Sequence, residues 1–162
     1  MLRCCNSMIV AVLLVHAGCF WSVPERFRET VEDPAGEFTA CTQITFPSSA
    51  KIIAVGDTHG GFHGDGEFYL VFDADESEIA GWLDQPPPWN QPAWLTGPVP
   101  YEISGHCLAD ATSSESARNL FKATITRYIA EDFQQASIPW HNGHLLAIDI
   151  ESGRVILSWW DF

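Results

Sequence analysis

Lys51 to Phe72 reads KIIAVGDTHGGFHGDGEFYLVF, and this stretch decides the fold. Lys51–Val55 is a short apolar run rich in β-branched residues, and Glu67–Phe72 is a second. Such side chains suit a half-buried pleated surface, so both runs are expected to be strands. Between them, Gly56–Gly66 holds five glycines in eleven residues. Glycine loses the most backbone freedom on ordering and takes turn conformations readily, which excludes a helix and predicts a hairpin connection.

Working outward, acids open Asp75–Leu83 and Ile79, Trp82 and Leu83 fall at helical spacing, which predicts a short helix. Pro86–Pro100 carries six prolines together with Trp89 and Trp94. Proline lacks the amide donor of a ladder or helix, so an extended loop is expected there, with a short strand at Val99–Ile103. Thr112–Glu115 matches a capping box, and Leu120, Phe121, Ile125, Tyr128, Ile129 and Phe133 follow at three- and four-residue steps. That period predicts a long helix ending before Pro139. Leu145–Ile150 and Arg154–Trp160 flank Glu151-Ser152-Gly153, a second hairpin signal. Upstream, Thr42–Phe46 alternates and is expected to be a strand. The fold class that follows is α+β, a mainly antiparallel sheet with one long and one short helix packed on one face.

Of 162 residues, 46% are hydrophobic and 18% charged, a globular profile of one-domain size. The formal net charge is −13, and the eight Lys and Arg are scattered. Nothing is present to neutralise phosphates, so nucleic acid is excluded as a partner.

The first eighteen residues read as a signal peptide. Arg3 precedes an apolar run, Met8–Val15, and His16-Ala17-Gly18 follows it. The run is far shorter than the roughly 20 residues that span a bilayer. Residues 19–37 are polar and broken by Pro24 and Pro34, which predicts a tether, and a single domain is expected over 38–162. Ala17-Gly18-Cys19 resembles the lipobox of bacterial lipoproteins, which implies lipidation of Cys19 and a membrane anchor. His16 stands where that family usually has Leu, so a plain cut after Ala17 stays open. Cys41 and Cys107 then remain as a pair with bridging open, in a compartment where disulfides persist.

Asp57, His59, His63 and Asp65 place two imidazoles and two carboxylates within nine residues. That mixture suits zinc or another divalent ion, and glycines let a backbone close around a ligand. The same residues also suit a turn in which the aspartates accept from backbone amides. His141 and His144 flank the last hairpin and are expected to approach this loop if their strands adjoin it. Trp82, Trp89 and Trp94 offer either an aromatic surface for a sugar or peptide or a lid on the core. His106 and Cys107 are neighbours, and adjacent strand residues point to opposite faces, which argues against a catalytic pair.

KIIAVGDTHG resembles the first motif of calcineurin-like metallophosphoesterases, in which Asp57 and His59 would serve a two-metal centre. The further ligand motifs of that family are missing, so its fold and activity are not expected. A longer resemblance runs from about Ile44 to Phe162 to a family of uncharacterised small bacterial proteins. It rests on DTHGGFHGDG at Asp57–Gly66 and on the terminal hairpin from Ala147-Ile148-Asp149 to Trp159-Trp160-Asp161-Phe162. That resemblance implies a fold and assigns no activity. The expectation is an exported, membrane-anchored, non-enzymatic domain that binds a protein or small molecule through Asp57, His59, His63 and Asp65. The alternative is a metal-binding protein or metal-dependent hydrolase in which the same four residues hold a divalent metal. An immunity or inhibitor protein is compatible with the size and charge, but no residue selects it.

Overall fold

The computed structural model describes residues 31–59, 66–104, 126–132 and 142–161. The chain runs α1 (Pro34–Thr42), β1 (Lys51–Asp57), β2 (Gly66–Asp73), α2 (Glu76–Leu83), β3 (Leu95–Thr96), α3 (Tyr101–Ser104), β4 (Arg127–Asp132), β5 (Gly143–Asp149) and β6 (Arg154–Asp161). The strands form one six-stranded sheet in the order β1-β2-β6-β5-β4-β3. Every neighbouring pair is antiparallel. The architecture is α+β, and both hairpins fall where the strand and turn residues put them.

β2, β5 and β6 are apolar on both sides because both faces of the sheet are covered. One face carries Phe68, Leu70, Phe72, Ile129, Leu146, Ile148, Val155 and Leu157 under Phe38 of α1 and Ile79 and Trp82 of α2. The other carries Val71, Tyr128, Leu145, Ala147, Ile156 and Trp160 against Ile103 of α3. The two longer helices thus share a face, while α3 lies on the opposite one. Gly153 closes the β5–β6 turn at φ 71°, where an added Cβ would stand 2.4 Å from the Ala74 carbonyl oxygen. Both the backbone angle and the close approach demand glycine there.

The structure corrects four expectations. α1 starts at Pro34 and so takes in the last four residues of the segment read as tether. Asp33 caps it by accepting from the Gly36 amide at 2.9 Å, and proline opens the first turn, where its missing donor costs nothing. Thr42 is helical and not the start of a strand, because it lies one turn beyond the buried Phe38 and its hydroxyl donates to the Phe38 carbonyl at 2.8 Å. Tyr101–Ser104 is a helical turn where a strand was expected at Val99–Ile103, with the Ile103 amide donating to the Pro100 carbonyl at 3.1 Å.

The fourth correction concerns the long helix. Arg127–Asp132 is a strand, so the helical period does not extend through Tyr128 and Ile129. In a strand these two adjacent residues face opposite sides, and each finds a core there: Tyr128 on one face, Ile129 on the other. The rest of that expected helix, residues 112–125 and Phe133, lies outside the described residues. So do the leader, Cys19, His63, Asp65, His106, Cys107 and His141. Among the described residues, no helix is long and apolar enough to cross a membrane.

Candidate functional site

The hairpin registers align one residue from each of five strands into a row across the sheet. Asp57 of β1 stands opposite Phe68 of β2, Phe68 opposite Trp159 of β6, Trp159 opposite His144 of β5, and His144 opposite Glu131 of β4. With strands about 4.8 Å apart, the row is about 19 Å long. It runs along the face that carries α1 and α2. Where the inner rows of that face are aliphatic and aromatic, this one has Phe68 and Trp159 at its centre and titratable side chains on both sides.

Asp57 and His59 form its first end. One Asp57 carboxylate oxygen accepts from the His59 backbone amide at 2.9 Å and lies 2.6 Å from His59 Nδ1. An ionised carboxylate only accepts, so Nδ1 is the donor in this contact and Nε2 is left for other partners. Thr58, between them, is buried and closes the hairpin: its amide donates to the Glu67 carbonyl at 3.0 Å, and its hydroxyl accepts from the Glu67 amide at 2.8 Å. Gly66 lets β2 start close to this turn, since a Cβ there would fall 2.6 Å from His59 Cα. The glycine therefore fixes where the His59 backbone sits.

An open cleft of about 530 Å³ lies over this end. The sheet supplies Asp57, His59, Phe68 and Trp159, and the segment entering α1 supplies Val31, Glu32, Asp33 and Glu37. Trp159 stacks on the buried Phe68 with ring centroids 4.0 Å apart and planes 14° apart. The His59 ring centre lies 6.2 Å from that of Trp159. Among the described residues, the lining holds four carboxylates, one imidazole and no Lys or Arg. Its volume is that of a small-molecule site.

Neither family models, nor curated proteins, nor solved structures gave a match to this chain. The site is therefore read from its own geometry.

His144 occupies the far half of the row. Its ring lies 5.0 Å from that of Trp89 and 6.4 Å from that of Trp159, and its Nδ1 stands 3.8 Å from a Glu131 carboxylate oxygen. Burial pushes its pKa down to about 4, so the imidazole is neutral at pH 7. His144 does not adjoin β1; two strands separate them, and Trp159 links His144 to the His59 end. Cys41 is half-buried, and burial, with Glu37 and Glu131 adding to it, pushes its thiol up to about 12. Such a thiol is a poor nucleophile in the folded protein.

Of the four residues expected to bind, Asp57 and His59 are brought together at the cleft. Among the described residues, no group of three or more His, Cys, Asp or Glu is placed to hold a metal. Sequence reasoning missed Phe68, Trp159, Glu32, Asp33, Glu37 and Glu131. Asp33-Pro34 was a legible helix start, but only the strand order reveals that Trp159 neighbours the hairpin.

Proposed function

We propose that the chain is an exported domain, anchored through Cys19 or released after Ala17, that binds a small organic cation in the cleft beside Asp57 and His59. The leader sequence supports export, and the lipobox-like Ala17-Gly18-Cys19 supports anchoring. One observation carries the binding reading: the Asp57–His59 pair and Trp159 line one cleft with three further carboxylates and, among the described residues, no basic side chain. A cation over an indole face is attracted by the ring quadrupole, and the carboxylates add charge attraction in a recess that focuses the field. The Asp57 contact also orients His59, so that in its neutral form Nε2 would accept a hydrogen bond from an ammonium or guanidinium group.

The test is ligand titration followed at the His59 ring resonances, using small amines, guanidines and quaternary ammonium ions beside their neutral and anionic counterparts. Saturable shifts are expected for the cations alone, and Trp159→Ala should weaken binding about tenfold. Equal shifts with the anionic set would refute the charge reading. Mass spectrometry of membrane-fraction protein, with a Cys19→Ala control, tests the anchor.

A second reading has one observation of its own. A carboxylate on Nδ1 is the usual outer-shell partner of a metal-ligating histidine. His59 Nε2 would then ligate a divalent ion, Asp57 would orient the ring, and His63 and Asp65 would supply donors from the glycine loop. Elemental analysis of the purified protein and of a His59→Ala/His63→Ala double variant decides it. Stoichiometric metal lost in the variant supports the metal site, and no metal in either folded protein removes it.

A further inference from the structure

The proline-rich segment between α2 and β3 lies over the far half of the polar row in a conformation that is held rather than preferred. Trp89 and Asn90 have φ of 58° and 54°. Asn tolerates this left-handed region, but a bulky residue such as Trp seldom enters it. Strain of this kind persists only where surrounding contacts hold it. Two contacts do so: Trp89 Nε1 donates to the Cys41 carbonyl at the end of α1 at 2.9 Å, and its ring rests on His144. The indole N–H of Trp94 is buried and makes no hydrogen bond among the described residues, a cost that exposure to water would remove. The segment then ends in β3, a two-residue strand paired only through Leu95–Tyr128 and Thr96–Arg127. Short, exposed edge pairing of this kind opens at low free energy.

Beneath Trp89 lies His144, which the row joins to Glu131 on one side and to Trp159, Phe68 and Asp57 on the other. Trp89 and Trp94 pack against the apolar core, as a lid would, but Trp89 also covers the imidazole of His144, which gains nothing from burial. We propose that Gln85–Trp94 is a gate: it swings off His144 and extends the Asp57–His59 cleft along the row toward Glu131. The proposal rests on the reading of that cleft as a ligand site and adds the regulation of its length. The short form of the site takes a compact ligand; the long form also receives a ligand's distal polar group between Trp159 and Glu131.

Cys41 reports the gate, because Trp89 hydrogen-bonds its carbonyl and its thiol is held protonated while buried. Opening restores an ordinary thiol, which alkylates far faster. The experiment is iodoacetamide labelling of the full chain without ligand, with modification of Cys41 followed by peptide mass spectrometry. Trp89→Phe removes the hydrogen bond and should speed labelling about tenfold. Asn90→Gly relieves a left-handed position in the closed form and should slow it about threefold. The two variants act in opposite directions, so a loss of folding in one leaves the other decisive. Urea unfolding of each variant separates gate opening from global unfolding.

Wild-type labelling rates in both variants, or changes that only track global stability, overturn the gate. Because labelling is read without ligand, a fixed gate over a cleft that binds cations overturns this proposal and spares the binding reading. A working gate over a cleft that binds nothing does the reverse.

Discussion

Acid should destabilise this protein through one identifiable side chain. His144 has its pKa lowered from the ordinary 6.5 to about 4 by burial. In the unfolded chain it takes a proton as pH falls through 6.5; in the folded protein it does not until about pH 4. Between those values the unfolded state binds more protons, so stability falls as pH falls. The contribution is fully present above pH 6.5 and gone below about 4. At about 1.4 kcal/mol per pH unit, the loss is about 3 kcal/mol, a large share of the ~5–15 kcal/mol that holds a domain together. His144 keeps 21% of its side-chain surface exposed, so solvent screening does not erase the effect. His144→Phe fills the same space between Trp89 and Trp159 without a titrating group. Urea unfolding of both proteins from pH 7.5 to pH 4 isolates the histidine, because every other group is common to them. The wild type should lose about 3 kcal/mol more than the variant across that range. Parallel stability curves would refute the reasoning, for they would mean that the folded imidazole titrates as it does in water.

Cys41 acts at the other end of the scale. Its folded pKa is raised from 9.0 to about 12, so its contribution is present below pH 9 and lost as pH rises toward 12. Cys41→Ala should flatten the alkaline limb, measured as the urea midpoint between pH 8.5 and 10.5. Phe38 is fully buried and meets Phe46, Phe72 and Trp82 edge-on or tilted. Phe38→Ala should therefore cost about 3–5 kcal/mol by denaturant unfolding. Gly66→Ala should push the His59 backbone away from its contact with Asp57. The expected readout is a changed His59 ring environment by NMR, with a stability loss of about 1–3 kcal/mol.

How much of this was legible depended on whether the deciding interaction was local. Glycine density at Gly56–Gly66 and the Glu151-Ser152-Gly153 turn act over a few residues, and both hairpins followed from them. The pair Asp57 and His59 was legible for the same reason, being two residues apart. Tyr128 and Ile129 were misread because a strand buried on both faces has no alternation to display; two consecutive apolar residues fit a helix stripe equally well. Thr42 failed differently: its alternating neighbours suggest a strand, but the helix that ends there is fixed by Phe38 entering the core. The cleft's aromatic wall was beyond local reading altogether. Trp159 reaches Asp57 only because β6 inserts beside β2, and a strand order that joins residue 68 to residue 159 leaves no trace in composition or spacing.

α1 touches both the cleft and the proline-rich segment. Its entry supplies Glu32, Asp33 and Glu37 to the cleft, and its end supplies the Cys41 carbonyl that holds Trp89. Nine residues at about 1.5 Å each make a rod of about 13 Å, some two thirds of the length of the polar row. Phe38, at its middle, is clamped by aromatic rings from β2 and α2. If the cleft binds a ligand and the segment opens as proposed, a tilt of α1 about Phe38 would carry movement at Asp33 and Glu37 to the Cys41 carbonyl. Coupling between cleft and gate then needs no chain of side-chain rearrangements, only a tilt of this helix about Phe38. Such coupling would be reciprocal by linkage, so Trp89→Phe would then change cation affinity at Asp57 and His59 as well as Cys41 labelling.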